Sequence, residues 1–238
     1  MPVFDLIMER LPATLLLVFS AQIVSLGLGI LLGVYAAQNP NGLSSLFVNM
    51  LSLFGYAAPV FWTGILLLIA FSLYIPIFPV AGMRDVTIES DNFLVHAFDV
   101  ARHLFLPMIT LASIFLAYYS RLCRASMLEV LGADFVRTAK AKGLSQRDIL
   151  MKHALKNSLS PVITFAGLSF SAVVSGAILV ETVYSWPGLG TLAFNSIIAR
   201  DTPVLLGILI FSTLMVTVGN LLTDMVLRSI DPRIKGSQ

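Results

Sequence analysis

From Leu11 through Met83 the chain contains no Asp, Glu, Lys or Arg. An α-helix needs about 20 consecutive apolar residues to cross the hydrocarbon core of a bilayer, so this run holds two spans. Soluble domains average about 25% charged residues. This chain of 238 residues has 12%, against 57% hydrophobic residues and a mean hydropathy of +0.89. So few charges cannot cover a water-facing surface. A soluble globular domain, a disordered chain and a nucleic-acid-binding protein are thereby excluded. What remains is an all-α, polytopic membrane protein with one domain, residues 1–238.

The two spans of the charge-free run are separated by Gln38-Asn39-Pro40-Asn41-Gly42, a cluster of turn formers. Three later apolar stretches are also long enough to cross. The expected spans are residues 12–37, 43–75, 104–120, 159–180 and 203–223, about five in all. The first is not read as a signal peptide, because Asp5 and Glu9 replace the basic leader and the apolar run is too long. Five spans put the termini on opposite sides. With the amino terminus outside, the inner segments carry Arg121, Arg124, Arg137, Lys140, Lys142, Arg147, Lys152, Lys156, Arg228, Arg233 and Lys235. The outer segments carry only Arg10, Arg84, Arg102 and Arg200 of the 15 basic residues. This is the positive-inside bias. Asp85, Glu89, Asp91 and Asp99 fall together in one outer loop.

Features inside the spans read as packing. Gly27, Gly29 and Gly33 do not match a dinucleotide fingerprint, and Gly29 with Gly33 forms a small-xxx-small pair suited to close helix approach. Pro59 and Pro107 are expected to kink their helices. Asp224 lies four residues before Arg228, which suits an exposed ion pair. No acidic residue is expected deep in a span, which counts against proton- or sodium-driven transport.

Catalytic and metal-binding patterns are missing. There is no G-x-x-x-x-G-K-[ST] phosphate loop and no H-E-x-x-H. His96, His103 and His153 lack ligand spacing, and the lone Cys123 offers neither a disulfide nor a metal site. Ser175-Gly176 lacks the glycine of a nucleophile turn and has no nearby His. The chain offers a pathway and no catalytic residue.

The longest inner segment, about residues 121–160, carries the most information. Phe135, Ala139 and Gly143 fall at i, i+4 and i+8 and give one helix a narrow face of small and aromatic residues, which Ala139 is expected to keep small enough to approach a partner. Gly143 is placed to stop that helix in a left-handed cap. Ser145-Gln146-Arg147-Asp148 reads as a capping box that opens a second helix. A basic amphipathic segment of this kind suits either contact with anionic lipid or docking to a protein.

The residues Phe135-Val136-Arg137-Thr138-Ala139-Lys140-Ala141-Lys142-Gly143-Leu144-Ser145 resemble the EAA loop of ABC importer permeases. More narrowly, they resemble the B-type permease subunit of the dipeptide, oligopeptide and nickel importers. Lys152 through Pro161, Glu181-Thr182-Val183-Tyr184-Ser185-Trp186-Pro187-Gly188-Leu189-Gly190 and Asp231-Pro232-Arg233-Ile234 are similar to the same subfamily, so the resemblance runs from about Asp5 to Ile234. Arg137, Thr138 and Ala139 occupy the Glu-Ala-Ala places. Arg137 for glutamate and Lys156 for proline are departures typical of the peptide and nickel branch.

The resemblance implies a type I ABC importer permease fold lacking the family's first helix, which would precede the position of Asp5. It implies that this chain is not an enzyme: it forms the translocation pathway for peptides or a related small solute, and ATP is hydrolysed on a separate subunit. The implied partners are a second permease subunit, two ATPase domains, an extracytoplasmic solute-binding protein and the bilayer of a bacterial-type inner membrane. No cofactor or metal is expected on this chain. Phe135, Arg137, Thr138, Ala139, Lys142, Gly143, Leu144, Ser145 and Asp148 would form the coupling loop. Trp186, Pro187 and Gly188 are expected to make a type II turn at the membrane interface and part of an outer gate. The competing reading is a passive channel with a lipid-bound inner loop.

Overall fold

The computed structural model describes residues 2–88 and 92–230. Among these residues the regular secondary structure is all helical, with no strand. In chain order the helices are α1 (Val3–Gln38), α2 (Leu43–Ala57), α3 (Val60–Leu68), α4 (Phe93–Leu131), α5 (Asp134–Ala141), α6 (Gln146–Asp148), α7 (Lys156–Leu168), α8 (Phe170–Val183), α9 (Leu189–Ala199) and α10 (Thr202–Ile230). A π-helical stretch extends α3 over Ile69–Tyr74, and a second one, Ile149–Leu155, joins α6 to α7.

Three single helices are long and apolar enough to cross a membrane: Val3–Gln38, Phe93–Leu131 and Thr202–Leu221. Counting Gln146–Leu168 with Ala172–Val183 as one broken span gives a fourth. The segment 43–75, expected as one span, is instead two shorter apolar helices with the break at Ala58-Pro59. Pro59 is the reason. It sits in extended backbone (φ −60°, ψ 135°) as the N-cap of α3, and proline has no amide hydrogen with which to continue α2. Pro107, by contrast, lies inside the unbroken α4. The side chains of Asp224 and Arg228, expected to pair, and the Asp231–Ile234 motif lie outside the described residues, as do Glu89 and Asp91.

The described residues group into two compact units, with α1, α4 and α10 contributing to each. The first unit comprises residues up to 23 with 58–113 and 171–217. One of its cores gathers Ile7 of α1, Leu189 of α9 and Val204 and Ile208 of α10. Phe78 stacks on Phe105 with ring centroids 4.5 Å apart.

The second unit comprises residues 24–57, 114–170 and those from 218 onward. Here α1 packs on α4 through its glycines, as the small-xxx-small pattern implies. A Cβ built on Gly29 would stand 2.5 Å from Tyr119 Cβ, and one on Gly33 would stand 2.6 Å from Cys123 Cβ. Gly27 faces open space. Side-chain hydrogen bonds link the other helices: Ser52 to Ser120 at 3.1 Å, and Tyr119 to Ser169 at 2.9 Å.

Candidate functional site

The polar inner segment folds into the helix–turn–helix that its sequence suggests. Helix α5 has Asp134 in its first turn and Lys140 in its last, both favourable to the helix dipole. It ends at Gly143, whose φ of +78° is the left-handed conformation open to glycine at no steric cost. The Gly143 amide donates to the Lys140 carbonyl (3.0 Å) and the Leu144 amide to the Ala139 carbonyl (3.3 Å). This pair of bonds is a Schellman cap, and it satisfies carbonyls that the helix end would leave open. Ser145 then opens the next helix: its Oγ accepts from the Asp148 amide at 3.1 Å, and its hydroxyl donates to Asp148 Oδ2 at 2.6 Å. Lys152 Nζ lies 2.6 Å from Asp148 Oδ1. These two partners hold the Asp148 carboxyl below the ordinary aspartate range, the Lys152 bond contributing most.

The turn is also pinned from inside. Val136 and Ala139 of α5 and Ile149 bury themselves together, with Val130 and Leu131 packed against them. Ala139, expected on the partner-facing side, is therefore corrected: it is only 5% exposed and faces its own chain. The helical period explains this. Val136 and Ala139 are three residues apart and share one stripe, and the apolar contact offered by Ile149 draws that stripe inward. Phe135 and Leu144 point outward instead, 46% and 41% exposed, with Met151 at 52%. Arg137, Thr138, Lys142, Ser145 and the glycine itself are exposed around them. Arg137 makes only a long contact (3.5 Å) to Asp134, and the Thr138 hydroxyl donates to the Asp134 carbonyl.

The second candidate, Trp186-Pro187-Gly188, lies in the first unit and differs from expectation in two ways. Trp186 is not exposed at a surface; it is fully buried within its own unit, and its indole N–H donates to the Ala13 carbonyl at 2.8 Å. The turn is not type II either. Gly188 is extended (φ −103°, ψ −172°), and the left-handed residue is Ser185 (φ 50°). Ser185 ends α8, where the Trp186 amide donates to the Glu181 carbonyl at 2.8 Å. Gly188 is required for closeness: a Cβ there would run into the Glu181 carboxylate.

Glu181 is the residue that sequence reading missed. Its side chain is buried and accepts from the Thr14 hydroxyl (2.7 Å), the Gly190 amide (2.7 Å) and the Thr191 amide (3.2 Å). It therefore ties α8 to α1 and to the first amides of α9. Nearby, Tyr184 OH donates to the Gly64 carbonyl and meets Thr110 Oγ1, each at 2.9 Å. The available signal was an acidic residue closing an apolar run just before a W-P-G-x-G turn.

Long apolar helices and a polar, capped helix–turn–helix between two of them mark a multi-pass membrane protein. The chain belongs to the family described as binding-protein-dependent transport system inner membrane components, whose model matches residues 29–236. It is 39% identical to the oligopeptide transport system permease protein AppB of Bacillus subtilis, over 98% of this chain and 72% of that protein. It is 36% identical to the dipeptide transport system permease protein DppB of Escherichia coli K12, over 98% and 74%. It is 40% identical to the di/tripeptide transport system permease protein DppB of Pseudomonas aeruginosa, over 94% and 70%. In fold it is similar to a chain of the MetNI methionine ABC transporter in an inward-facing conformation. That match has a TM-score of 0.72 at 16% identity, covering 97% of this chain and 98% of that one. The chain is thus a multi-pass permease component of a multi-part transport system.

Proposed function

We propose that this chain is a permease subunit of an ATP-driven importer for peptides in a bacterial-type inner membrane, with residues 1–238 acting as one permease domain. Its partners in this reading are a second permease, two ATPase domains and an extracytoplasmic binding protein. ATP is bound and hydrolysed by the ATPase subunits, and no cofactor is used on this chain. The peptide class is supported by relatives that are oligopeptide and dipeptide permeases at 36–40% identity.

The observation that carries the reading is the construction of the inner loop. A segment that transmits force must be stiff, and this one is capped at Gly143 and Ser145 and bolted to its own unit through Val136, Ala139 and Ile149. Phe135, Leu144 and Met151 remain exposed beside Arg137, Lys142 and Arg147. That surface suits a partner with an apolar groove rimmed by acidic residues. Closure of the ATPase pair then moves the permeases as rigid bodies between inward- and outward-open states. A passive channel would need no such stiffened loop.

The test is reconstitution of the chain with its candidate partner subunits in proteoliposomes. Accumulation of a labelled di- or oligopeptide should require ATP and the binding protein. Uptake that proceeds equally without ATP would favour the channel instead.

A further inference from the structure

Within the second unit, α2, α4 and α7 enclose a cleft of about 510 Å³. Asn49 of α2, Tyr118, Arg121, Leu122 and Arg124 of α4 and Phe165 of α7 line it. We propose that this cleft binds the phosphate of an anionic phospholipid, with Arg121 as the cation that meets it. This proposal is independent of the transported solute.

Charge is the first argument. Arg124 is held by neutral groups: its Nε donates to Ser45 Oγ at 2.9 Å and its Nη2 to the Pro40 carbonyl at 3.2 Å. Those bonds orient the guanidinium without neutralising it. Arg121 is exposed, and among the described residues no ion pair engages either arginine and no carboxylate lines the cleft. Two like charges three residues apart on a helix share one face and repel. A phosphate placed between them would relieve that repulsion and gain charge-assisted hydrogen bonds, with planar guanidinium forks suited to phosphate oxygens.

The remaining arguments select the source of the phosphate. Part of the wall is apolar, formed by Leu122 with the rings of Tyr118 and Phe165, whose centroids lie 5.6 Å apart. A free inorganic anion has no use for that wall, whereas the glycerol and upper acyl carbons of a lipid bury against it. Arg121 also follows directly on Ser120, where the span expected over 104–120 ends, and that boundary would set it near headgroup depth. Basic pockets between helices at that level suit anionic headgroups.

The experiment is native mass spectrometry of the full chain, purified from membranes containing phosphatidylglycerol and phosphatidylcholine. It compares wild type, Arg121→Gln, Arg121→Lys and the exposed control Lys156→Gln, with and without millimolar inorganic phosphate. Wild type should retain phosphatidylglycerol selectively, and Arg121→Gln should lower that retention about tenfold, the scale of one charge-assisted contact. Arg121→Lys should restore part of it, and Lys156→Gln should match wild type. Added phosphate should not displace the lipid. Equal retention by wild type and Arg121→Gln would overturn the proposal. So would an equal loss in Lys156→Gln, which would mean general surface charge, or displacement by phosphate, which would mean a free-anion site.

Discussion

Glu181 and Gly188 are locked together: the Glu181 carboxylate fills the space that a Cβ at position 188 would take. The same carboxylate accepts hydrogen bonds from Thr14, Gly190 and Thr191. Removing it strands buried donors, each costing about 1–3 kcal/mol. Glu181→Ala should therefore destabilise the folded chain strongly, and Glu181→Gln, which keeps the shape and one acceptor, should cost less. Gly188→Ala should cost about 1–3 kcal/mol by overpacking in wild type and less in the Glu181→Ala background. Thermal unfolding in detergent of the four variants measures the coupling. Additive effects would mean that the two positions do not meet.

Trp186 gives a separate test of the same turn. Trp186→Phe keeps most of the buried ring but loses the bond to the Ala13 carbonyl, an expected cost of about 1 kcal/mol. Trp186→Ala adds a cavity and should cost about 3–5 kcal/mol. An interfacial or gate-lining tryptophan would show little loss of melting temperature in either variant.

The Asp148 cap carries a pH signature. Its carboxyl is held low by Lys152 and Ser145, so its contribution is present at neutral pH, above the unfolded-state value. That contribution is lost as pH falls through the lowered folded-state value. Amide hydrogen exchange at Asp148 should therefore lose protection only below the ordinary aspartate range, and Asp148→Asn should remove the dependence. Protection that falls already near pH 6 would point to a histidine instead.

Topology follows from the basic residues. On a Cys123→Ser background, a cysteine at Asn92 should react with an impermeant thiol reagent in intact cells, and one at Gln146 only after permeabilisation. The reverse pattern would invert the orientation.

Much of this was legible in the sequence wherever local chemistry decides the outcome. Gly143 and Ser145 act through their own backbone and side chain, so a helix stop and a helix start could be placed to the residue. Gly29 and Gly33 likewise announced a close helix approach, and Pro59 announced a kink. What was not legible depended on partners distant in sequence. Nothing adjacent to Glu181 shows that Thr14 will meet it, and nothing adjacent to Trp186 shows that Ala13 will. Ala139 was placed on the wrong side because its inward neighbour, Ile149, lies across the turn. The span expected over 43–75 became two helices because Pro59, expected only to kink it, sits in extended backbone and ends α2 outright.

The central claim is that the inner loop couples this permease to an ATPase, and burial now dictates which variants test it. Ala139→Asp is unsuitable, because it places a charge in the Val136–Ile149 core and should destabilise the loop itself. Phe135→Asp and Leu144→Asp change only outward-facing side chains and should leave insertion and melting temperature unchanged. The decisive measurement is recovery of the ATPase subunit by affinity-tagged permease, wild type against these two variants at equal expression. The account predicts at least a tenfold drop in recovered ATPase for each variant, the scale of an interface hot spot losing its apolar anchor. Recovery equal to wild type in both would contradict it.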